Sequence, residues 1–119
     1  MTKFLPGDVI LLKFPFQEDR SKFKQRPGVV IDVSDQDSKY FVAQITKTDH
    51  RAKGRVCKGI LRDSDTGKKM KIKVNSFINL SNTSEIHEID IIQKIGYCNI
   101  IDELVEMIKT NKIYPFEEL

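Results

Sequence analysis

A run of cationic side chains ends at Arg26, directly before Pro27, and this arrangement suits contact with a phosphate group. The cations occupy every second position of the run: Arg20, Lys22, Lys24 and Arg26. A guanidinium can contact two oxygens of one phosphate at once, which an ammonium cannot do. Because Pro27 restricts the preceding residue to an extended backbone, we expect Arg26 to be held in place where a basic loop meets a strand.

The charge of the chain is divided unevenly along its length. Residues 1–76 carry 17 Lys and Arg against 9 Asp and Glu, whereas residues 77–119 carry 3 against 8. An excess of positive charge confined to one part of a chain favours a polyanionic partner for that part. A solvated basic face is the alternative that charge alone leaves open.

Composition predicts one globular domain over residues 1–119, with 113–119 as a candidate flexible tail. The chain is 39% hydrophobic and 31% charged, which is typical of soluble proteins and not of disordered ones. No apolar run approaches the ~20 residues that span a bilayer, and no secretory signal pattern is present. Cys57 and Cys98 lack the spacing of a metal or redox motif, so we expect reduced cysteines in a cytoplasmic protein that has no membrane segment. No zinc pattern, phosphate-cradling loop or nucleophilic triad is found, and we expect neither metal nor cofactor.

Alternating hydrophobic patterns predict a succession of short strands around two charged loops. The strands are expected over 7–14, 28–33, 39–46, 56–63, 68–75, 77–81 and 88–97, and the loops over 15–27 and 47–55. The pattern in 68–75 is the most regular, since Met70, Ile72 and Val74 alternate with lysines. Asp65-Thr66-Gly67 before it predicts a hairpin turn.

One helix is predicted near the end of the chain. Ile101, Leu104, Val105 and Ile108 form an apolar stripe at helical spacing, and Asn99 is the expected N-cap. Short strands joined by tight turns, followed by one helix, predict a mainly β fold, namely a small antiparallel barrel closed by a C-terminal helix.

Four stretches, in this order, resemble the MazF/PemK toxin family, in particular its PemK-like branch. They are GDVILLKFPF (7–16), KQRPGVVID (24–32), FVAQIT (41–46) and IIQKIGYCNIIDELVEMI (91–108). The resemblance implies an SH3-like barrel of the MazF/PemK/CcdB type that forms a homodimer. It also implies a cytoplasmic toxin of a type II toxin–antitoxin pair, with a cognate antitoxin protein as partner. Members of the family are metal-independent, sequence-specific endoribonucleases that cut single-stranded mRNA and leave a 2′,3′-cyclic phosphate.

The resemblance assigns catalytic roles to Arg26, the arginine of the Arg-Pro step, and to Thr46, the threonine that ends the third strand. Two departures concern catalysis and specificity. The loop 17–25 lacks the glycines found in many members. An Arg-x-Asp pair of some members is matched by Lys73-Val74-Asn75, and an asparagine cannot transfer a proton. The proton-transfer partner is therefore open among His50, Arg26 and solvent.

Several further residues are candidates for contact with RNA. Gln44 lies on the same strand face as Thr46 and is expected to line the site, together with Lys73 and Asn75. The remaining candidates are cationic or aromatic residues of the basic segments: Lys22, Phe23, Lys24, Lys47, Arg51 and Lys71. Two other functions stay open: an RNA-binding barrel without catalysis, and a toxin of the same fold that acts on a protein such as DNA gyrase.

Overall fold

One antiparallel sheet carries most of the chain in the computed structural model, which describes residues 3–15, 23–34, 36 and 38–113. Six strands pair in the order β4-β5-β3-β2-β1-β6. They are β1 (Asp8–Pro15), β2 (Phe23–Ser34), β3 (Lys39–Thr46), β4 (Cys57–Ile60), β5 (Ser76–His87) and β6 (Ile91–Tyr97). Two α-helices, α1 (Asp65–Met70) and α2 (Ile101–Thr110), and two single 3-10 turns complete the described structure. The prediction of a mainly β fold with a C-terminal helix is confirmed.

The sheet is open. Strands β1, β2 and β3 form a meander, and β6 returns to pair with β1, while β4 pairs only with β5. Within the described residues β4 and β6 are therefore the two edges of the sheet, and it is not closed as a barrel. None of the helices in these residues is long and apolar enough to cross a membrane.

Both faces of the sheet are buried, and alternate residues of each strand go to opposite faces. In β3, Ala43 and Ile45 join the cluster that packs under the helices, whereas Tyr40 and Val42 join a second cluster on the other face. The predicted alternation of β3 is thus confirmed. The apolar stripe of α2 is confirmed as well, because Ile101, Leu104 and Ile108 are buried in the first cluster.

Tyr40 connects the second cluster to the segment that precedes β1 and to the 3-10 turn that follows β5. Its ring is fully buried, and its hydroxyl donates to Glu88 Oε1 at 2.8 Å while accepting from the backbone N of Lys3 at 3.0 Å. Burial is the main reason that the pKa of this phenol is raised, so the hydroxyl keeps its proton and remains a donor.

The prediction of a strand over 68–75 is wrong. Residues 65–70 form α1, and Ser64 is its N-cap. The Ser64 Oγ accepts a hydrogen bond from the Gly67 backbone N at 3.0 Å. Met70 is buried, but Val74 is 42% exposed, so the apolar residues do not share one buried face as a strand requires. The alternation of lysine with apolar residues is compatible with either structure, and the N-cap and the burial of Met70 and Gly67 favour the helix.

Other boundaries also differ from those predicted. Strand β2 begins at Phe23, so the expected loop 15–27 is shorter and Arg26 lies within the sheet, opposite Leu12 of β1. Strand β5 is much longer than the predicted 77–81 and has an irregularity opposite Ala43 and Gln44 of β3. Residues 88–90 form a 3-10 turn instead of the start of β6.

The predicted N-cap of the last helix is wrong, because α2 begins at Ile101 without a side-chain cap. The side chain of Asn99 contacts α1 instead. Its Oδ1 accepts from Thr66 Oγ1 at 2.8 Å, and its Nδ2 donates to Asp65 Oδ2 at 3.2 Å. Asn99 therefore ties the two helices together, a role that depends on tertiary contact and has no local sequence signal.

Helix α1 packs so closely on β6 that only glycine fits at position 96. A Cβ atom there would lie 2.5 Å from the Lys69 carbonyl oxygen and 2.9 Å from the Met70 carbonyl carbon. These are backbone atoms, so relief of the clash requires the whole end of α1 to move away from β6.

We expect Gly96→Ala to lower the free energy of unfolding by about 1–3 kcal/mol, the usual effect of overpacking. Gly59→Ala is the matched control, since its new Cβ would meet only the Phe77 ring at an ordinary 3.4 Å. Urea unfolding of both variants tests the difference. Equal stability of the two variants would show that α1 is not pressed against β6.

Candidate functional site

A groove of about 740 Å³ lies where β1, β2, β3 and β6 face the segment that follows α1. We call it the basic groove. Its cationic lining residues come from three separate parts of the chain: Arg26 of β2, Lys47 after β3, and Lys71 and Lys73 after α1. The structure thus brings together both residues to which the resemblance assigns catalysis, Arg26 and Thr46, with three of the predicted RNA-contacting lysines.

The charge of the basic groove is uncompensated. No Asp or Glu is among its lining residues, and its four cations form no ion pair with a carboxylate in the part of the chain that the structure describes. Like charges that line one groove repel each other, and a bound anion relieves that repulsion. The arrangement therefore suits a ligand that carries more than one negative charge.

Arg26 is positioned by the sheet rather than by a loop. It is half-buried in β2, where Leu12 of β1 is its partner, and Pro27 follows opposite Leu11. Within the described residues Arg26 forms no ion pair, not even with Asp32 of the same strand. A guanidinium fixed on a paired strand loses little entropy when it binds phosphate in a bidentate manner.

Thr46 lies at the end of β3, where the chain enters the second charged loop, residues 47–55. Its Oγ1 accepts a hydrogen bond from the Thr48 backbone N at 3.1 Å, which orients the hydroxyl. The hydroxyl hydrogen donates to no group in the described residues and is available to a ligand. Thr46 can therefore offer one oriented donor to an oxygen in the groove.

Lys71 is held in a backbone conformation that lysine rarely adopts. It ends α1 with φ at 61°, in the left-handed region, and its backbone N donates to the carbonyls of Gly67 and Lys68. Helix ends of this kind usually carry glycine, because other residues are strained there. A lysine at this position costs stability and adds positive charge to the groove, which favours a functional role.

The floor of the basic groove is apolar. It is formed by Leu11 together with side chains of the cluster beneath the helices and residues packed against that cluster: Val9, Ile45, Met70, Ile72 and Ile95. An apolar surface beside the cations reduces the screening of their charge by water. The groove can therefore bind an anion more strongly than the same cations on an open surface.

Three other predicted site residues lie outside the lining of the groove. The Gln44 side chain accepts from Asn82 Nδ2 at 2.7 Å, and Asn75 Oδ1 accepts from the Arg62 backbone N at 2.8 Å. His50 directly precedes the 3-10 turn Arg51–Lys53 and is half-buried. Lys22 lies outside the described residues, as do the side chains of Phe23 and Lys24.

Arg51 is also placed outside the groove, and its charge is already paired. Its Nη2 and Nε donate to Asp49 Oδ2 at 2.6 Å and 3.0 Å, and these bonds lower the pKa of Asp49 to about 2. The carboxyl is therefore ionised at any pH at which the protein would be studied, and the pair persists. Arg51 contributes little net charge to a phosphate site.

Sequence reasoning missed the polar neutral residues of the groove. They are Gln25, Thr48, Ser76 and Gln93. Thr48 had a signal, since it stands two residues after Thr46 in a basic loop. The other three are brought in by strand pairing and by the position of α1, which sequence patterns do not reveal.

Metal ligands are scarce in the same region. In the described ranges no three His, Cys, Asp or Glu side chains lie close enough together to hold a metal ion. The lining of the groove consists instead of hydrogen-bond donors, cations and apolar groups, which bind an anion directly.

No protein-family model matches the chain, and a search of curated proteins finds no match either. The interpretation of the groove therefore depends on its own residues.

We expect Lys71→Gly to separate stability from anion binding. Glycine relieves the left-handed strain, so the free energy of unfolding should rise by about 1 kcal/mol. Loss of the side chain should reduce the slope of log affinity against log salt by about 0.7 for a single-stranded oligonucleotide.

Lys68→Gly is the control, because Lys68 is exposed in α1 and does not line the groove. It should cost about 1 kcal/mol of stability and leave the salt dependence unchanged. The assignment of Lys71 to the anion site fails if both variants bind the oligonucleotide as the unaltered protein does.

Proposed function

We propose that this protein is a metal-independent endoribonuclease, the toxin of a type II toxin–antitoxin pair, that cuts single-stranded mRNA at a specific sequence. The observation that carries the proposal is the basic groove, in which Arg26 and Thr46 meet three lysines and, within the described part of the chain, no carboxylate. The order of GDV, Arg-Pro and AQIT along the chain, which resembles the PemK-like toxins, supports the same conclusion.

The proposed reaction is an internal displacement at phosphorus. The ribose 2′-oxygen attacks the adjacent phosphate, the bond to the 5′-oxygen breaks, and the products are a 2′,3′-cyclic phosphate and a 5′-hydroxyl. Negative charge builds on the two non-bridging oxygens during attack, and the Arg26 guanidinium contacts both. The Thr46 hydroxyl donates to one of them, while Lys71 and Lys73 bind the phosphates of neighbouring nucleotides.

Proton transfer in this proposal is assigned to solvent. Among the described residues, the lining of the basic groove contains no His, Asp, Glu, Cys or Tyr side chain that could act as a general base. His50, one of the candidates from the sequence, does not reach the lining. Water accepts the proton of the 2′-hydroxyl and supplies one to the 5′-oxygen, so catalysis comes from fixed positive charge and positioning.

The basic groove also indicates how an antitoxin would bind. An antitoxin would inhibit by laying an acidic segment across it, since the four cations pair with no carboxylate of residues 3–15, 23–34, 36 and 38–113. We propose further that the protein works in the cytoplasm as a homodimer of SH3-like barrels. The six-stranded antiparallel sheet, followed by a C-terminal helix, supports this proposal as far as a mainly β domain.

The decisive variant is Arg26→Lys, which retains the charge but not the paired donors. We expect RNA cleavage in EDTA to fall by roughly 100-fold or more, with RNA binding largely retained. Arg62→Lys is the matched control, because Arg62 is exposed, lies beside Asp63 and does not line the groove. New RNA ends mapped by sequencing, with and without each substitution, provide the measurement.

Other results would select a different function. Intact RNA that nevertheless binds in a salt-dependent manner would identify a non-catalytic RNA-binding module. Toxicity that survives Arg26→Ala, with no RNA binding, would point to a protein target instead.

The assignment of proton transfer has its own test. We expect His50→Asn to leave the cleavage rate within about twofold, whereas loss of a general base would lower it roughly 100-fold. The rate should also rise with pH without an inflection near pH ~6.5, where an ordinary imidazole titrates. A bell-shaped profile that His50→Asn removes would contradict the assignment to solvent.

A further inference from the structure

The Arg51 guanidinium lies over an aromatic ring, and the two form a composite surface beside the basic groove. Its guanidinium carbon is 5.4 Å from the centroid of the Phe77 ring, within the range of a cation–π contact. The edge of the guanidinium is occupied by Asp49, which accepts from Nε and Nη2. The ring fixes one face and the carboxylate fixes one edge, while the Arg51 side chain stays 59% exposed.

The loop that carries Arg51 is ordered by its own hydrogen bonds. Asp49 Oδ1 accepts from the Arg51 backbone N at 2.9 Å, and the His50 carbonyl accepts from the Lys53 backbone N at 3.0 Å. Gly54 then closes the turn, with its backbone N donating to the Arg51 carbonyl at 3.0 Å. The guanidinium is therefore held in place before any ligand arrives, so that little entropy is lost on binding.

The Arg51–Phe77 surface adjoins the groove along two chain segments. Thr48 and Ser76 line the groove, and Asp49 and Phe77 are the next residues in each segment. Phe77 is also the pairing partner of Thr46 across β3 and β5. A strand whose phosphates occupy the groove would thus bring a neighbouring nucleotide to this surface.

Because the Arg51 guanidinium is already hydrogen-bonded to the Asp49 carboxylate, it adds little net positive charge for binding a phosphate. What it presents is a planar, weakly hydrated face, and such faces bind unpaired bases by stacking. A surface salt bridge without a role would not need a ring beneath it or an ordered loop around it.

We propose that the exposed face of Arg51, supported by Phe77 and clamped by Asp49, is a stacking platform for an unpaired nucleobase next to the phosphates in the basic groove. This inference rests on the proposed function in one respect, that the ligand is a single-stranded nucleic acid. It does not depend on cleavage. The platform selects for an unpaired base of any identity, because every base has a face that stacks.

The test uses the full chain and 2′-O-methyl oligoribonucleotides, which cannot be cut by attack of the 2′-oxygen. A single abasic position is moved along the oligonucleotide, and affinity is measured for each probe by fluorescence anisotropy. In the unaltered protein, one abasic position should lower affinity by roughly tenfold relative to its neighbours, the usual effect of losing one stacked base.

Arg51→Lys should abolish that position-dependent loss while retaining the charge, because an ammonium offers no planar face. Arg55→Lys is the matched control on the same loop and should leave the loss in place, since Arg55 is exposed and does not lie over Phe77. The proposal is overturned if no abasic position matters in the unaltered protein, if Arg51→Lys retains the full loss, or if the oligonucleotides do not bind.

The cleavage assay and the abasic probes together distinguish failure of the proposed function from failure of the stacking platform. If natural RNA stays intact in EDTA but the abasic probes show the position-dependent loss, the stacking platform stands and catalysis does not. If RNA is cut and the loss is absent, catalysis stands and the platform does not.

Discussion

The site depends on the close approach of α1 to the sheet. Gly67 of α1 and Gly96 of β6 both lie where a Cβ atom would collide with backbone, against Leu61 and Arg62 in one case and Lys69 and Met70 in the other. Backbone contacts of this kind cannot be relieved by rotating a side chain. The contact at Gly96 therefore fixes the end of α1 against β6, and the contact at Gly67 fixes α1 against the residues that precede it. The chain that leaves α1 becomes one wall of the basic groove.

That wall gives the groove its electrostatic character. Lys71 and Lys73 follow α1 and face Arg26 of β2 and Lys47 of the loop after β3, although these segments are distant in the sequence. Each cation alone would be an ordinary surface residue with little effect. Gathered beside apolar side chains, with no carboxylate among the lining residues that the structure describes, they form a field that favours a polyanion.

The loop after β3 has two parts with different electrostatics. Its first residues, Lys47 and Thr48, line the groove together with Thr46 at the end of β3. Its next residues form the Asp49–Arg51 pair, in which the charge is neutralised and the guanidinium is pressed on Phe77. A single loop can in this way combine contacts to the nucleic-acid backbone with contacts to a base, the two components of single-strand recognition.

The amino-acid sequence by itself determined the mainly β class, the alternation of β3, the apolar face of α2, and the grouping of positive charge in residues 1–76, because period and composition are local properties. It also singled out Arg26, through its place before Pro27. The sequence could not determine α1, since lysines that alternate with apolar residues fit a strand as well as a short helix. The helix is decided by the Ser64 N-cap and by the packing of α1 on β6. The juxtaposition of Arg26 with Lys71 and Lys73, and of Arg51 with Phe77, was decided only by tertiary structure, because strand pairing and helix packing bring together residues that no local pattern relates.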